Sequence, residues 1–361
     1  MMNRRKFLKW SGIGALATLA GGAFASRSIA ANRYYDGPVS NHFDGTYFFN
    51  PGGEEPNNFF ELMRWQFGGG RVAWPADWPS PFPPAIPEAR IEGDRLVVTM
   101  VGHAALLIQT AGLNILTDPV WSDRASRFSF AGPKRVNPPG IKLTDLPKID
   151  AVLVTHSHYD HLDLATLKAL SERDNCLIYT PLGNESIMEP VVGEGRITTM
   201  DWGGSTPLSV GVTLHCEPCH HWSARGLGDR RMALWSAFLI ETPGGKIYHI
   251  GDTGFHQGIN YRAIREKHGA IRLANLPFGA YEPRWFMRPQ HQNPDEAVKG
   301  MVASGAAYVA GHHWGTFRLT NEGVDEPLAA LEAALHAAGI ERTRFHALRP
   351  GEVFEVPFAT V

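Results

Sequence analysis

Residues 155–163, Thr-His-Ser-His-Tyr-Asp-His-Leu-Asp, place three histidines and two aspartates in nine consecutive positions. An apolar run at 151–154 predicts a short buried strand before them, and the pattern at 164–170 predicts a helix after them. Side chains in such a strand-to-helix turn can converge on one point. Imidazole and carboxylate groups suit zinc and similar divalent cations, so the turn predicts a metal site.

The spacing of the ligands within this turn predicts two adjacent metal positions. His156 and His158 alternate as in an extended segment, so both can face the same ion. Asp160 and His161 lie past the bend and therefore face a different point nearby. The alternative is a polar loop whose histidines only hydrogen-bond the backbone. We favour the metal site because the pattern His-x-His-x-Asp-His comes directly after a buried strand.

A metal site of this kind needs ligands from distant parts of the chain, and three more predicted strands end in such residues. They are His220 and His221 after residues 212–216, Asp252 after residues 246–250, and His312 and His313 after residues 307–310. Side chains at strand ends leave the sheet edge and are free to bind ligands. Adjacent side chains point in different directions, so one histidine of each pair is required and the spacing leaves open which one.

The composition is that of a globular protein without an excess of positive charge. The chain has 361 residues, 43% of them hydrophobic, and a formal net charge of −2. This length and apolar content allow a large core, in one domain or two. The near-neutral charge argues against nucleic acid as a partner. Cys176, Cys216 and Cys219 are interpreted as buried residues without a role, with a disulfide between the last two as the alternative.

Residues 1–30 resemble a twin-arginine signal peptide. The adjacent Arg4 and Arg5 precede a Gly/Ala-rich run at 10–25, which is too short and too weakly apolar for a comfortable membrane span. Small-residue cleavage sites end at Ala25 and at Ala30, and the boundary at residue 30 follows the second. We therefore expect a periplasmic or otherwise exported protein, with a retained membrane anchor as the alternative.

Residues 31–95 are rich in aromatic residues and proline and show no regular periodicity. We predict an extended segment that wraps over the core. The alternative is that its aromatic side chains form a surface for a lipid membrane or for the second subunit of a homodimer.

Residues 96–361 carry the strand and helix patterns of an α/β domain. Strands are predicted at 96–100, 105–108, 114–117, 151–154, 177–180, 212–216, 237–242, 246–250, 272–276 and 307–310, and helices at 164–170, 294–303 and 324–338. The segments 238–242 and 246–250 read as a hairpin, which means that the sheets are not purely parallel. A layered sandwich of two mixed sheets covered by helices fits this order best.

Taken together, the motifs resemble the metallo-β-lactamase superfamily. The pattern is His-x-His-x-Asp-His, then a histidine, then Gly-Asp-Thr-Gly and a C-terminal histidine. A closer resemblance is to the family of N-acylphosphatidylethanolamine-hydrolysing phospholipases D. It spans residues 43–351 and rests on the segments 101–104, 117–120, 132–136, 150–163, 221–223, 294–297 with His291, and 313–317.

This resemblance implies an αββα four-layer sandwich with a binuclear site along one sheet edge, and two Zn²⁺ as cofactors, with iron or manganese as alternatives. The implied ligands are His156, His158 and His221 for one zinc, Asp160, His161 and His313 for the other, and a bridging Asp252. His221 and His313 are chosen over their neighbours because each directly precedes a tryptophan of the family pattern.

The resemblance also implies a metal-dependent hydrolase, namely a phosphodiesterase of the phospholipase D type. Its substrate would be N-acylphosphatidylethanolamine, a related phospholipid or another phosphorylated small molecule. Asp160 would orient the reacting water, and His291 would stabilise or protonate the reacting phosphate. The alternatives are a metal-dependent lactonase or β-lactamase on the same fold, and a metal-binding protein without catalytic activity.

Four further polar residues lie near these motifs. Tyr281 and Arg284 fall in a segment that resembles the family's approach to the metals, and they are candidate substrate contacts, with a packed loop as the alternative. His103 and Asp118 are expected to hold loops together rather than to bind metal.

Overall fold

Two seven-stranded β-sheets lie face to face and carry helices on their outer sides. This computed structural model describes residues 32–226 and 228–358. The predicted signal peptide at 1–30 lies outside the described residues and stays a prediction. Leu106, Phe238 and Ile240 belong to the buried apolar layer between the two sheets. The αββα sandwich implied by the sequence motifs is therefore confirmed.

The first sheet has the strand order β14-β1-β2-β3-β4-β5-β6. Its strands are β1 (Leu96–Gly102), β2 (Ala105–Thr110), β3 (Leu113–Thr117), β4 (Ala151–Leu153), β5 (Leu177–Pro181), β6 (Ile197–Met200) and β14 (Val353–Glu355). Neighbours from β14 to β3 pair antiparallel, and neighbours from β3 to β6 pair parallel. β1 and β4 are buried along their whole length, as expected for strands that read as continuous apolar runs.

The second sheet has the order β13-β12-β11-β10-β9-β8-β7. Its strands are β7 (Ser205–Ser209), β8 (Val212–Glu217), β9 (Ala237–Thr242), β10 (Gly245–His249), β11 (Ile271–Pro277), β12 (Ala306–His312) and β13 (Phe345–Ala347). Neighbours from β7 to β10 pair antiparallel, and neighbours from β10 to β13 pair parallel. The predicted hairpin is the antiparallel pair of β9 and β10.

Seven α-helices are formed by the described residues. They are α1 (Phe59–Phe67), α2 (Leu164–Asp174), α3 (Glu185–Val192), α4 (Ile259–His268), α5 (Arg284–Met287), α6 (Pro294–Ser304) and α7 (Glu326–Ala338). α2 and α3 cover the first sheet through residues such as Leu167 and Met188. α4, α6 and α7 cover the second sheet through residues such as Ile264, Met301 and Leu331. No described helix has both the length and the apolar character that a membrane crossing needs.

The segment before β1 is irregular apart from α1. Phe43 and Phe48 of this segment are buried in the core. α1 is a helix that the sequence periodicity did not predict. It begins with a capping box, in which Asn58 accepts hydrogen bonds from the backbone of α1 and Glu61 bonds back to the Asn58 backbone. Of its side chains only Trp65 is fully buried, so α1 lies on the surface and keeps much of its apolar area exposed.

Cys176, Cys216 and Cys219 are buried free thiols. The alternative of a disulfide between Cys216 and Cys219 is therefore wrong for this structure. Burial raises the pKa of Cys216 to about 12, so this thiol stays protonated and behaves as an apolar side chain.

Candidate metal centre

Four strand ends meet at one edge of the sandwich. β8 and β10 both pair antiparallel with β9, and β10 to β12 are parallel, so β8, β10 and β12 run in the same direction. The loops that follow these three strands therefore leave the same edge of the second sheet. They carry His221, Asp252 and His313, and they meet residues 155–163 after β4 of the first sheet.

Three imidazoles, those of His156, His158 and His221, form the first cluster. Nδ1 of His158 lies 2.9 Å from Nε2 of His156 and 3.1 Å from Nε2 of His221. The other ring nitrogens are held from outside, since Nδ1 of His156 lies 2.9 Å from the Thr155 hydroxyl and Nδ1 of His221 donates to the Gln290 carbonyl at 2.9 Å. Ring nitrogens fixed in this way and directed at a common point are typical of a metal ligand set.

The second cluster contains Asp160, His161 and His313, next to Asp252. Oδ2 of Asp160 lies 3.6 Å from Nε2 of His161 and 3.4 Å from Nε2 of His313. Oδ2 of Asp252 lies 3.2 Å and 3.0 Å from the same two nitrogens. Two carboxylates and two imidazoles thus surround a second point.

Asp252 lies between the two clusters. Its Oδ2 is 3.7 Å from Nε2 of His221, which belongs to the first cluster, in addition to its short distances to the second. The preceding Gly251 has a φ of +66°, and a Cβ there would lie 2.8 Å from Cγ2 of Thr155. Only glycine fits this close approach, and it brings Asp252 against the loop after β4.

Several buried ligand atoms have no hydrogen-bond partner among the described residues. They include Nε2 of His161, Nε2 of His313 and Oδ1 of Asp252. A buried polar atom left unpaired costs about 1–3 kcal/mol. The nitrogen-rich donor set and these unpaired atoms fit bound divalent cations, which would satisfy all of them at once.

A pocket of about 190 Å³ opens beside the two clusters. His158, Asp160, Asp252 and His291 line its polar part. Its apolar lining consists of Leu62, Trp65, Trp222, Ala280, Phe286, Met287 and Leu319. The pocket therefore joins a metal-binding edge to an apolar surface.

Comparisons with known proteins agree with this geometry. The family described as "Beta-lactamase superfamily domain" matches residues 113–314. The chain belongs to the metallo-β-lactamase superfamily. Within it, this protein is similar to the N-acyl-phosphatidylethanolamine-hydrolyzing phospholipase D 1 of Caenorhabditis elegans, with 39% identity over 270 residues that cover 72% of this chain and 76% of the relative. It is therefore a member of that phospholipase D family.

Two further proteins are similar to this chain, one in sequence and one in fold alone. The mitochondrial N-acyl-phosphatidylethanolamine-hydrolyzing phospholipase D of Saccharomyces cerevisiae is 36% identical over 257 residues, which cover 69% of this chain and 54% of the yeast protein. The metallo hydrolase Igni18 of Ignicoccus hospitalis matches the fold with a TM-score of 0.54 at 20% identity, over 73% of this chain and 99% of that one. The family match and the sequence relatives, rather than this structural likeness, show that the chain is a metal-dependent hydrolase.

The structure shows which histidine of each adjacent pair joins the two clusters. His220 points away from the two clusters. Its ring lies 4.0 Å from that of His256, and its Nδ1 accepts a hydrogen bond from Asn260. His312 is buried inside the second sheet, 5.3 Å from the ring of His249. Their neighbours are the histidines that join the clusters.

Asp118 holds the metal loop, residues 155–163, without itself lining the pocket. Its carboxylate accepts hydrogen bonds from the Thr155 backbone at 2.7 Å, from the Thr155 hydroxyl at 2.8 Å and from Nδ1 of His161 at 2.8 Å. Its role in holding a loop follows the sequence expectation. Such outer partners fix the tautomer and orientation of a ligating imidazole.

His103 lies closer to the site than its sequence position indicates. Its Nε2 is 2.9 Å from Oδ2 of Asp160, and its ring lies 4.0 Å from that of His313. It therefore belongs to the second cluster in space. The signal in the sequence is weak, because His103 stands alone in the turn between β1 and β2.

Burial and charge divide the imidazoles of this superfamily member into two groups. Burial, with repulsion from His221, lowers the pKa of His158 to about 3. Burial lowers the pKa of His221 to about 4 despite the Asp252 carboxylate. Burial opposes the charged form of His313 as well, but Asp252 and Asp160 raise its pKa to about 9. The first cluster is thus neutral and ready to bind metal, whereas the second holds a proton when no cation is present.

The remaining predicted site residues occupy different positions. His291 lines the pocket, and its Nδ1 lies 3.9 Å from Oδ2 of Asp252. Tyr281 and Arg284 are not among the described residues that line the pocket. Arg284 instead bonds to Glu296 at 2.7 Å and donates to the His291 carbonyl at 2.9 Å, so it supports the backbone of His291.

Proposed function

We propose that this protein is an exported binuclear zinc phosphodiesterase of the phospholipase D type. Its substrate would be N-acylphosphatidylethanolamine or a related phospholipid, the substrate class for which its relatives in Caenorhabditis elegans and Saccharomyces cerevisiae are named. The observation that carries the proposal is a complete ligand set beside a pocket with a largely apolar lining. A phosphodiester could bind at the polar end of this pocket while an acyl or alkyl group contacts the apolar lining.

The residues present fit two zinc ions. His156, His158 and His221 would hold one, Asp160, His161 and His313 would hold the other, and Asp252 would bind between them. Five of these seven ligands are imidazole nitrogens, which favours zinc over Mg²⁺ and Ca²⁺, the cations that prefer oxygen ligands. Two zinc ions there would lower the pKa of a shared water and polarise the phosphoryl oxygens.

The protein's own groups position and stabilise the reacting phosphate. Asp160 accepts a hydrogen bond from His103 at 2.9 Å, which fixes its carboxylate toward the pocket. There it can orient the reacting water. His291 has a buried Nδ1 with no partner among the described residues. It can therefore hydrogen-bond the phosphoryl oxygen that gains charge or, alternatively, donate its proton to the leaving oxygen.

Exposed aromatic residues beside the pocket support contact with a lipid surface. Phe59, Phe60 and Phe67 on α1 are 54%, 83% and 86% exposed. Leu62 and Trp65 of the same helix line the pocket. An α1 that inserts its phenylalanines among lipid headgroups would place the pocket at the membrane surface, where a phospholipid can enter.

Product analysis tests the proposed function. The protein would be incubated with bacterial phospholipid extract and with N-acylphosphatidylethanolamine, with and without a chelator, and the products separated by mass spectrometry. We expect phosphatidic acid and the free head group, and no product after chelation. A chromogenic phosphodiester, a cephalosporin and a lactone serve as parallel substrates. Hydrolysis of the cephalosporin or lactone alone would overturn the phosphodiesterase assignment.

A further inference from the structure

Arg230 lies in the pocket but takes no part in the metal centre. It is half-buried and is the only arginine or lysine among the described residues that line the pocket. Its guanidinium carbon lies 4.6 Å from the ring centre of Trp222. The Trp222 ring in turn packs edge-on against His158, with ring centres 4.6 Å apart. The Trp222 ring therefore lies between the guanidinium of Arg230 and the proposed metal ligand His158.

The other two arginines of the same loop are already engaged. Arg225 donates to the carbonyls of Ser157 at 2.9 Å and Leu162 at 2.8 Å. Arg231 forms an ion pair with Glu55. These two guanidinium groups hold the loop, so they are not available to a ligand.

Arg230 has no such partner. No described carboxylate lies within 4.0 Å of it, and it donates no hydrogen bond to a described residue. Burial, followed by repulsion from Arg231, lowers the pKa of Arg230, while the more distant carboxylates of Glu55 and Glu61 act in the opposite direction. Arginine nevertheless remains charged in proteins. A half-buried guanidinium that faces a pocket and forms no direct ion pair with a described residue is suited to an anionic ligand.

The contact with Trp222 also restricts what else can bind. The face of a tryptophan is the preferred site for a quaternary ammonium group such as choline. In this protein the guanidinium of Arg230 lies over that ring. A cationic head group would therefore meet a like charge where it would otherwise stack.

We propose that Arg230 binds an acidic group of the substrate itself, next to the phosphate, so that the pocket selects phosphoesters with an anionic head group over those with a quaternary ammonium. This inference rests on the proposed function, since it assumes that a phosphate binds at the metal centre. Within that function it favours the related phospholipids that carry an acidic head group, and it places N-acylphosphatidylethanolamine, whose amide head group is neutral, between these and the quaternary ammonium lipids.

Calorimetry on the zinc-loaded protein tests the selection without turnover. The ligands are phosphoglycolate and its three- and four-carbon homologues, each with a carboxylate arm, and phosphocholine as the cationic counterpart. We expect at least one carboxylate ligand to bind about tenfold or more tightly than phosphocholine. Arg230→Gln should bring that ratio close to one, whereas Arg342→Gln, at an exposed arginine outside the pocket, should leave it unchanged.

Other outcomes would overturn the inference. These are a wild-type protein that prefers phosphocholine, a ratio that Arg230→Gln leaves unchanged, or an equal loss for both ligands. If Arg230→Gln does not fold, Arg230→Lys replaces it, and we expect a reduced but still anionic preference because lysine lacks the bidentate geometry. A response to anionic vesicles but not to the soluble ligands would assign Arg230 to neighbouring lipids instead. Hydrolysis of bis(p-nitrophenyl) phosphate by the wild type checks the proposed function separately.

Discussion

Nδ1 of His161 donates a 2.8 Å hydrogen bond to Oδ2 of Asp118, and both side chains are completely buried. Asp118 follows β3 and His161 follows β4, so the bond joins two neighbouring strand ends of the first sheet. The tautomer of His161 is fixed by this bond, which leaves Nε2 directed toward Asp252. The position of the second cluster therefore depends on a residue that does not itself face the pocket.

Replacing Asp118 by asparagine should weaken metal binding without unfolding the protein. The amide keeps the shape but loses the charge that holds His161, so we expect the weaker-bound metal to lose about 10–100-fold in affinity. Competition with a chromogenic chelator measures this loss. Asp295→Asn on the exposed face of α6 is the control and should bind metal as the wild type does. Equal affinities in all three proteins would contradict this role.

Replacing Asp252 by asparagine should reduce the metal content and abolish turnover. Asp252 is the carboxylate that approaches ligands of both clusters, so its neutral counterpart cannot serve two cations. We expect fewer than two zinc equivalents per chain and a fall in kcat of at least about 100-fold. Metal analysis and turnover of the same sample check both values. A variant that keeps two zinc equivalents and full activity would show that Asp252 does not bridge the two metals.

Replacing His291 by glutamine should separate chemistry from metal binding. His291 lines the pocket and its Nδ1 is 3.9 Å from Asp252, but the proposed ligand set is complete without it. We expect kcat to fall about 10²–10³-fold at an unchanged metal content. His336→Gln on α7 is the control. Loss of metal together with activity would show that His291 acts as a ligand instead.

The metal-free protein should be most stable near pH 6.5. The pKa values of His158 and His221 are lowered by burial to about 3 and about 4, so their contribution to stability is lost as the pH falls below 6.5. The pKa of His313 is raised to about 9 by Asp252 and Asp160 against its burial, so its contribution is present below 6.5 and lost as the pH rises through 9. Thermal melts of chelated protein between pH 4 and 10 measure this profile. Zinc should raise Tm and broaden the pH range of maximal stability. If Tm of the metal-free protein does not depend on pH, the opposite pKa shifts of these histidines are contradicted.

Removing the exposed phenylalanines of α1 should weaken lipid binding only. Phe59 and Phe60 are exposed beside the pocket, so we expect Phe59→Ser/Phe60→Ser to bind anionic liposomes several-fold more weakly. Hydrolysis of a soluble phosphodiester should not change. Phe128 and Phe130 are 52% and 79% exposed outside the pocket, and the same double replacement there is the control. Identical losses from both pairs would show a general effect of surface apolarity.

The central strands and the ligand motifs could be predicted from the sequence because they follow one simple pattern. A continuous apolar run indicates a buried strand, and a metal-binding residue directly after it lies at the sheet edge. β4 with His156 and β12 with His313 follow this rule. The resemblance supplied the choice within each histidine pair, which spacing alone left open.

Other elements carry too little local signal. β13 and β14 have three residues each, and α3 contains Pro190, which normally argues against a helix. α4 has few apolar residues, and only Tyr261 and Ile264 are buried. These elements form because the surrounding sheets and helices supply the packing that their own sequences do not.

The residues that line the pocket could not be predicted from the sequence either. Arg230 stands eight positions after Trp222, and nothing in that spacing indicates that the two side chains meet. His103 comes to Asp160 only because the turn after β1 folds over the metal loop. Contacts of this kind depend on loop conformations, which periodicity does not describe.

α1 contributes Leu62 and Trp65 to the pocket, yet it lies in the segment before the first strand of the sandwich and supplies none of the seven proposed ligands. Substitutions in α1 can therefore reshape the cavity while the hydrolytic centre stays intact. Relatives could therefore acquire new acyl-chain preferences by changing this helix, whereas head-group selection by Arg230 stays on the loop that also carries His221.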